Sequence, residues 1–341
     1  MGRGRSGPER LCRRALLCFL NVLITSASRK VLLVRAFQDA AARLGGGRVI
    51  AADIDPLAAS LYEADGARLI PPSADSSFVD ALLDVCRHDE IGLLVPTRDD
   101  ELPLLAANRA RFEAIGTLVL VSPPDAVAAC RDKRRFADAA SALGYETPRT
   151  WPPSVDAPLP AFVKPIIGRG GRGARSVRTR GELAAALTEA GGDLIVQELI
   201  EAPELTIDAF LALDGTPISC VPRIRVSVAC GESVVSRTVR DPELVDAALG
   251  LASGLRLAGH VTIQAFRPPD RILFIEVNPR YGGAANLGFA AGAPTPEFAI
   301  RMARGERLEP RLGAYVDDLV MLRYSEDRIL PAAVLMERSR P

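Results

Sequence analysis

The sequence predicts an α/β protein in which a parallel sheet flanked by helices comes first and a unit dominated by antiparallel strands follows. Two patterns and one count carry this. From residue 21 to about 121 short apolar runs alternate with helical patterns, the order that a parallel sheet with helices on both faces requires. From residue 194 onward strand patterns succeed one another across tight turns, as in an antiparallel meander. The 341 residues, 48% hydrophobic and 25% charged, suit a packed globule of two or three domains and exclude disordered and fibrous classes.

Charge and composition narrow the function. The 42 basic and 42 acidic residues cancel, so no global field draws nucleic acid or an anionic membrane, and neither partner is expected. Cys12, Cys18, Cys86, Cys130, Cys220 and Cys230 form no C-x-x-C pair, and His88 and His260 are the two histidines. A zinc-type ligand cluster is therefore missing, and the thiols read as reduced core residues of a cytoplasmic protein. Lys30, Lys133 and Lys164 are the three lysines among the 42 cations. Where arginine serves as the general cation, a surviving lysine marks a place that needs an ammonium, although Lys30 also reads as a chance survivor.

Residues 1–19 read as a basic, disordered extension. Arg3, Arg5, Arg10, Arg13 and Arg14 precede an apolar run over 15–24 and then Ser26-Ala27-Ser28, which imitates a secretory signal. Asn21 interrupts that run, it is too short to span a bilayer, and 21–25 reads as a buried first strand that cleavage would delete. Strands are then expected at 22–25, 49–53, 92–96 and 118–121, with helices around 30–44, 76–88 and 99–114. Function in such a sheet gathers at the carboxyl ends of the strands, here 25–30, 53–55 and 97–101. The first turn lacks G-x-G-x-x-G, although Asp53 stands where a ribose-binding acid would.

A new unit begins at Ser122-Pro123-Pro124-Asp125, read as a helix start with Ser122 as N-cap and proline first in the helix. That helix carries Lys133. A proline-rich connector over 148–160 leads to the strand 161–163, which ends at Lys164-Pro165. A glycine-rich turn over 168–174 follows, then Thr179-x-x-Glu182, a capping box for the next helix. Strands are expected at 194–198, 205–213, 218–228, 261–266, 272–277 and 319–324, with one helix at 242–255.

Four features carry chemistry. Lys164 ends a buried strand just before a loop holding Gly168, Gly170, Gly171 and Gly173, whose backbone N–H groups can cover phosphates while the ammonium binds their oxygens. The order fits neither a Walker A loop nor a kinase, and a mobile surface loop is the plain alternative. Gln197, Glu198, Leu199 and Ile200 offer backbone groups to an adenine edge, with the Glu204 carboxylate placed for ribose hydroxyls. An ordinary edge strand with solvated acids explains them equally well. Third, Glu276 and Asn278 share one face of a strand that runs into Pro279-Arg280-Tyr281-Gly282-Gly283. Two side-chain oxygens there suit a hard cation that keeps phosphate oxygens and water, and Gln264 on the neighbouring strand supplies a third. Arg280 emerges beyond them, where a guanidinium stabilises a transferring phosphoryl group, and Gly282 and Gly283 let amides approach a carboxylate. A strand ending in an Asn-Pro turn is the plain alternative. Fourth, Lys133 precedes the glycine loop by thirty-odd residues.

Together these residues, in this order, resemble the ATP-grasp superfamily, and Glu276-Val-Asn-Pro-Arg-Tyr-Gly-Gly283 is most similar to the branch of the carbamoyl phosphate synthase large subunit. The resemblance covers about 20–325. It implies a Rossmann-like pre-ATP-grasp domain over 20–122 and a two-lobed α+β ATP-grasp domain over 123–330, with a small lobe at about 130–196, a large lobe at about 197–330 and a tail at 331–341. It further implies that Lys133 and Lys164 contact ATP phosphates, Gln197 to Ile200 the adenine and Glu204 the ribose. Gln264, Glu276 and Asn278 would hold Mg²⁺, for which Mn²⁺ can substitute, and Arg280 the transferred phosphoryl, beneath the glycine loop as lid. Arg237 is a weak candidate for a phosphate contact, since relatives carry lysine nearby. One such unit without a glutamine-hydrolysing partner speaks against carbamoyl phosphate synthesis itself.

The reading that follows is an ATP-dependent carboxylate–amine ligase with small-molecule carboxylate and amine substrates and an expected homodimer. Asp99, Asp100 and Glu101 can bind a substrate ammonium such as an α-amino group, or can simply be an acidic helix start. Two alternatives stay open. A nicotinamide-dependent oxidoreductase would explain the opening sheet and Asp53, and a nucleotide-binding module without turnover would use the same binding residues.

Overall fold

The computed structural model describes residues 19–168, 173–190, 193–229 and 231–338. Two compact units divide the chain. The first draws on the residues up to Val121, on Pro294–Glu309 and on the chain from Glu326, and the second on Ser122–Ala293 with Pro310–Ser325.

In the first unit β1 (Asn21–Thr25), β2 (Val49–Asp53), β3 (Gly66–Leu69), β4 (Ile91–Pro96) and β5 (Leu118–Val119) form a parallel sheet in the order β3-β2-β1-β4-β5. Every residue of β2 is buried, as a sheet covered on both faces demands. Helix α1 (Val31–Arg43) buries Leu33, Val34, Phe37, Ala40 and Ala41, the spacing of one helical stripe. The turn after it needs glycine, because Gly47 sits at φ +133° and a Cβ there would lie 2.1 Å from the Leu20 carbonyl oxygen. Helix α2 (Ala59–Glu63) is a short connector, and α3 (Phe78–His88) buries Phe78, Val79, Leu82, Leu83 and Cys86. The helix expected over 99–114 is two, α4 (Leu102–Ala107) and α5 (Arg109–Glu113). Asn108 divides them: its side-chain amide donates to the Leu104 carbonyl at 2.9 Å, the local bonding with which asparagine competes against a continuing helix.

The second unit opens with α6 (Pro124–Arg131) and α7 (Lys133–Ala142). Ser122 is not the cap of α6. Pro123 holds that position and keeps Ser122 out of helical geometry, and the Ser122 hydroxyl instead exchanges hydrogen bonds with the Ala258 carbonyl and N–H. Asp132 caps α7 by accepting from the N–H groups of Arg134 and Arg135. A four-stranded sheet follows, in the order β6-β9-β7-β8, from β6 (Thr150–Trp151), β7 (Ala161–Pro165), β8 (Arg175–Val177) and β9 (Leu194–Glu198). Helix α8 (Arg180–Glu189) begins with the expected capping box of Thr179 and Glu182. Its Leu183 and Ala186 pack on Ala161, Val163, Val177, Leu194 and Val196 of the sheet, which turns the alternate residues Phe162, Lys164, Ile195 and Gln197 to the other face.

A six-stranded antiparallel sheet in the order β14-β13-β10-β11-β12-β15 completes the unit. Its strands are β10 (Glu204–Leu211), β11 (Pro217–Ala229), β12 (Glu232–Thr238), β13 (Gly259–Phe266), β14 (Leu273–Asn278) and β15 (Val320–Leu322). One face is apolar: Leu205, Ile207, Ala209, Val261, Ile263, Ala265, Phe274 and Val277 pack on α9 (Pro242–Gly254), α6 and α7. The opposite face, fixed by the same alternation, carries Glu204, Thr206 and Asp208 beside Thr262 and Gln264, and these beside Glu276 and Asn278. After β14 comes the short helix α10 (Asn286–Ala290). The chain then re-enters the first unit as α11 (Thr295–Ala303), which packs on α1 and β4, and ends in α12 (Ala332–Arg338). No helix among the described residues is long and apolar enough to cross a membrane.

Candidate active site

Lys164 is the penultimate residue of β7, on the face turned away from α8 and buried to 6% exposure. Removal from water is the largest influence on its ammonium and pushes it down to about 8; the Glu276 carboxylate opposes the fall, Lys133 adds to it and Glu204 opposes it. The groups that act on Lys164 are thus the ones expected beside it. Lys133, the first residue of α7, stands 3.9 Å from Glu276 Oε2 through its Nζ and donates to the Gly168 carbonyl at 3.3 Å. Its own backbone N–H donates to the Ile166 carbonyl, which ties the start of α7 to the segment after β7. Gly173 adopts φ +72°. Gly170 and Gly171 lie outside the described residues.

On the six-stranded sheet Gln264 pairs directly with Glu276, and Thr262 with Asn278. The Gln264 amide donates to Glu204 Oε1 at 2.8 Å, which leaves its carbonyl oxygen to turn elsewhere. Asn278 Nδ2 donates to Glu276 Oε1 at 3.2 Å, and Asn278 Oδ1 accepts from Arg280 Nη2 at 3.3 Å. A second arm of the same guanidinium donates to the Tyr281 carbonyl at 3.2 Å. Lys133, Lys164, Glu204, Gln264, Glu276, Asn278 and Arg280 therefore form one connected cluster. Its amide and carboxylate oxygens suit a hard divalent cation, and among the described residues no three His, Cys, Asp or Glu side chains gather in a metal-holding group.

Other expectations meet different surroundings. Gln197 is buried within the small sheet, in register with Phe162 on one side and Thr150 on the other, and its side chain donates to Thr150 Oγ1 at 2.9 Å. Both its backbone and its amide serve the sheet. Glu198 exchanges bonds with Arg149, its carboxylate and its N–H each engaged at 2.9 Å, and Leu199 and Ile200, half-buried, continue past the end of the ladder. The Glu204 carboxylate is taken by Arg225 as well as by Gln264. Arg237 is a correction: it pairs with Ile224, which pairs with Leu205, so strand alternation puts it on the apolar side of the sheet, and it binds Asp318. Gly282 is glycine for a packing reason, since a Cβ there would lie 2.8 Å from Thr262 Oγ1. The Gly283 carbonyl accepts from Arg323.

Asp99 and Glu101 belong to the first unit. Asp99 and Asp100 are half-buried, but Glu101 is 1% exposed and accepts from the hydroxyls of Thr25, at 2.8 Å, and Ser26. Burial raises its carboxyl against those two bonds. A side chain so enclosed is spent inside the fold, at the carboxyl ends of β1 and β4, and is not offered to a substrate ammonium. At the same corner Asp53, the acid behind the dinucleotide reading, is engaged by backbone N–H groups. Ser28 donates its N–H to Asp53 at 2.7 Å, Asp55 does so at 3.0 Å, and the Glu101 carboxyl stands at the switch point where a pyrophosphate would approach.

Residues the sequence reading passed over complete the site. Arg225 reaches Glu204 and donates to the Ser233 hydroxyl and the Gly231 carbonyl, and Arg323 spans Glu232 and Gly283. Asp208, Arg223, His260 and Thr262 lie below. Stepping by twos from Glu204 and from Gln264 reaches Asp208, Thr262 and His260, but the arginines of β11 need the strand pairing itself.

Comparison with known proteins gives a consistent result. Residues 22–120 match the family described as PylC-like, N-terminal domain. Residues 191–324 match the one described as ATP-grasp in the biosynthetic pathway with Ter operon. The carbamoyl phosphate synthase large chain of Gemmatimonas aurantiaca is 30% identical over 223 residues, 58% of this chain and 20% of that protein. The chain thus spans about a fifth of the length of this curated relative. The biotin carboxylase domain of Hydrogenobacter thermophilus 2-oxoglutarate carboxylase, solved with MgADP, ADP and bicarbonate, aligns with a TM-score of 0.70 at 18% identity, over 88% of this chain and 73% of that one. The L-amino acid ligase of Bacillus licheniformis aligns with a TM-score of 0.67 at 19% identity, over 85% and 75%.

Proposed function

The chain belongs to the ATP-grasp superfamily, and from that membership we propose that it is an ATP-dependent ligase joining a carboxylate to an amine. One observation carries the reading: two ammonium groups, three side chains with metal-binding oxygens and one guanidinium, drawn from α7, two sheets and the turn after β14, form a single cluster. No nucleophilic serine or cysteine is called for, since phosphoryl transfer rests on positioning and electrostatics.

In this reading Lys133 and Lys164 hold ATP phosphate oxygens, and the groups past β9, Leu199 and Ile200, border the adenine. Gln264, Glu276 and Asn278 hold Mg²⁺, or Mn²⁺ in its place, which when bound supplies charge neutralisation on the phosphates. A substrate carboxylate oxygen attacks the γ-phosphorus, the bond to the β–γ bridging oxygen breaks, and ADP leaves with that electron pair. Arg280 balances the charge of the transferred group. The amine nitrogen then attacks the acyl carbon, phosphate departs with the C–O electrons, and the amine releases a proton to give the amide. The substrates are amino-acid-like and the active species is a homodimer.

The test is ADP release in the presence of Mg²⁺ and pooled amino acids, with products identified by mass spectrometry. Release stimulated by a particular pair and lost in Glu276→Ala supports the ligase. Tight binding of an ATP analogue without stimulated release by any carboxylate–amine pair would leave a binding module, and preference for NADH over the analogue in a fluorescence titration would refute the family-based reading.

A further inference from the structure

Beneath the cluster, the polar face of the six-stranded sheet carries buried charges. Asp208 and Arg223 pair at 2.8 Å with both side chains 3% exposed. Arg223 also donates to the hydroxyls of Ser233 and Ser236 at 3.4 and 3.3 Å. Burial works to raise the Asp208 carboxyl, but the Arg223 charge, and after it His260, hold it well below the usual carboxylate range. Apolar residues of equal volume often stabilise a fold as well as such a pair does, so its position matters more than its energy.

That position is directly under the turn bearing Arg280. The Thr262 hydroxyl lies 3.3 Å from Asp208 Oδ1 and 3.2 Å from the Arg280 carbonyl oxygen. His260 Nε2 stands 3.5 Å from the same carboxylate oxygen, and its ring stacks on Tyr281 with centroids 4.2 Å apart and planes 15° from parallel. Gly282 closes on Thr262 with no room for a Cβ. Three consecutive residues, Arg280, Tyr281 and Gly282, are thereby seated on β13, whose polar side chains are in turn held by β10 and β11. The Arg280 guanidinium itself bonds within the same turn, to Asn278 Oδ1 and the Tyr281 carbonyl, so the direction of the fork follows the turn.

We propose that Thr262, anchored on the buried Asp208–Arg223 pair, is a positioning residue that fixes the turn over 280–282 and with it the direction of the Arg280 guanidinium. Only its consequence for turnover rests on the ligase reading; the effect on Arg280 does not. The full chain is compared with Thr262→Val, which keeps the shape and loses the hydroxyl, and Thr262→Ser, which keeps the hydroxyl. Arginine Nε–H resonances are recorded by ¹⁵N NMR, that of Arg280 assigned by its disappearance in Arg280→Lys. The Arg280 signal is expected to be narrow and displaced from the solvent-exposed position in the wild type and in Thr262→Ser, and to collapse to that position in Thr262→Val. If Thr262→Val does not fold, Thr262→Ala, which opens space without adding strain, decides in its place.

Where substrate-stimulated ADP release is measurable, the hydroxyl-free variant loses on the order of tenfold or more in kcat, while its affinity for a non-hydrolysable ATP analogue changes by less than about twofold and Thr262→Ser restores the rate. A merely structural role would instead weaken analogue binding and kcat together without rescue. An Arg280 signal indifferent to loss of the hydroxyl overturns the proposal. Absence of ADP release in the wild type would refute the ligase reading and leave the NMR comparison to decide on Thr262.

Discussion

Replacing Lys164 with methionine should make the ligand-free protein more stable. The Lys164 ammonium, almost wholly out of water, is pushed from an ordinary 10.5 to about 8. A shift of that size corresponds to about 3 kcal/mol. Its sign is fixed by proton counting: between 8 and 10.5 the unfolded chain binds more protons than the folded one, so the wild type gains stability as pH rises through that window. Below it the folded state carries the whole cost, and Lys164→Met removes it. The melting temperature of the unit holding Lys164 should rise by about 6–10 °C at pH 7, the difference vanishing by about pH 10.5. Scanning calorimetry of both proteins across pH 7–10.5 measures this. A Mg²⁺–ATP analogue at about a thousand times Kd should reverse the order, adding about 4 kcal/mol to the wild type alone. A methionine variant that melts at or below the wild type at pH 7, or a difference independent of pH, refutes the reasoning.

Three further outcomes are expected. Arg223→Ala leaves the Asp208 carboxylate buried and uncompensated, and chemical denaturation should show a loss of about 3–5 kcal/mol. Glu276→Gln keeps an oxygen but loses its charge, so calorimetric titration should show analogue affinity in the presence of Mg²⁺ falling by roughly tenfold or more while affinity without the metal changes little. For Glu101, the folded state holds its proton more tightly than the unfolded one, an advantage complete in acid and lost as pH rises through the raised folded value. Glu101→Gln should therefore gain in melting temperature relative to the wild type as pH rises, and a constant difference would mean that the Thr25 and Ser26 hydroxyls hold an ionised carboxylate.

Much of this architecture is readable in the chain because a few periodicities are strong. Alternation predicted that Glu276 and Asn278 share a face, and the Gln264–Glu276 register follows from the two strands meeting as a hairpin. The capping box at Thr179 and Glu182 is equally local. What escaped is what depends on partners distant in sequence. Strand β3, Gly-Ala-Arg-Leu, has no β-branched residue and gains its conformation from pairing with β2. Trp151 lies in a proline-rich stretch that reads as connector until β9 pairs with it. The partners of Glu101 are 75 and 76 residues away, so its acidic context suggested an exposed helix start. Arg237 and Arg225 look alike in composition, yet the strand register sends them to opposite faces.

The helix α11 bears on how this protein is made. It supplies Phe298, Ala299 and Ile300 to the first unit, against α1 and β4, although the last strand of that sheet ends at Val119. At ordinary rates of translation the ribosome needs roughly 10–40 s to travel from one to the other. For that interval the nascent sheet presents an uncovered apolar slot, a natural point for chaperone capture. A fragment ending near residue 121 should therefore stay sticky in solution until a peptide spanning 294–309 is supplied.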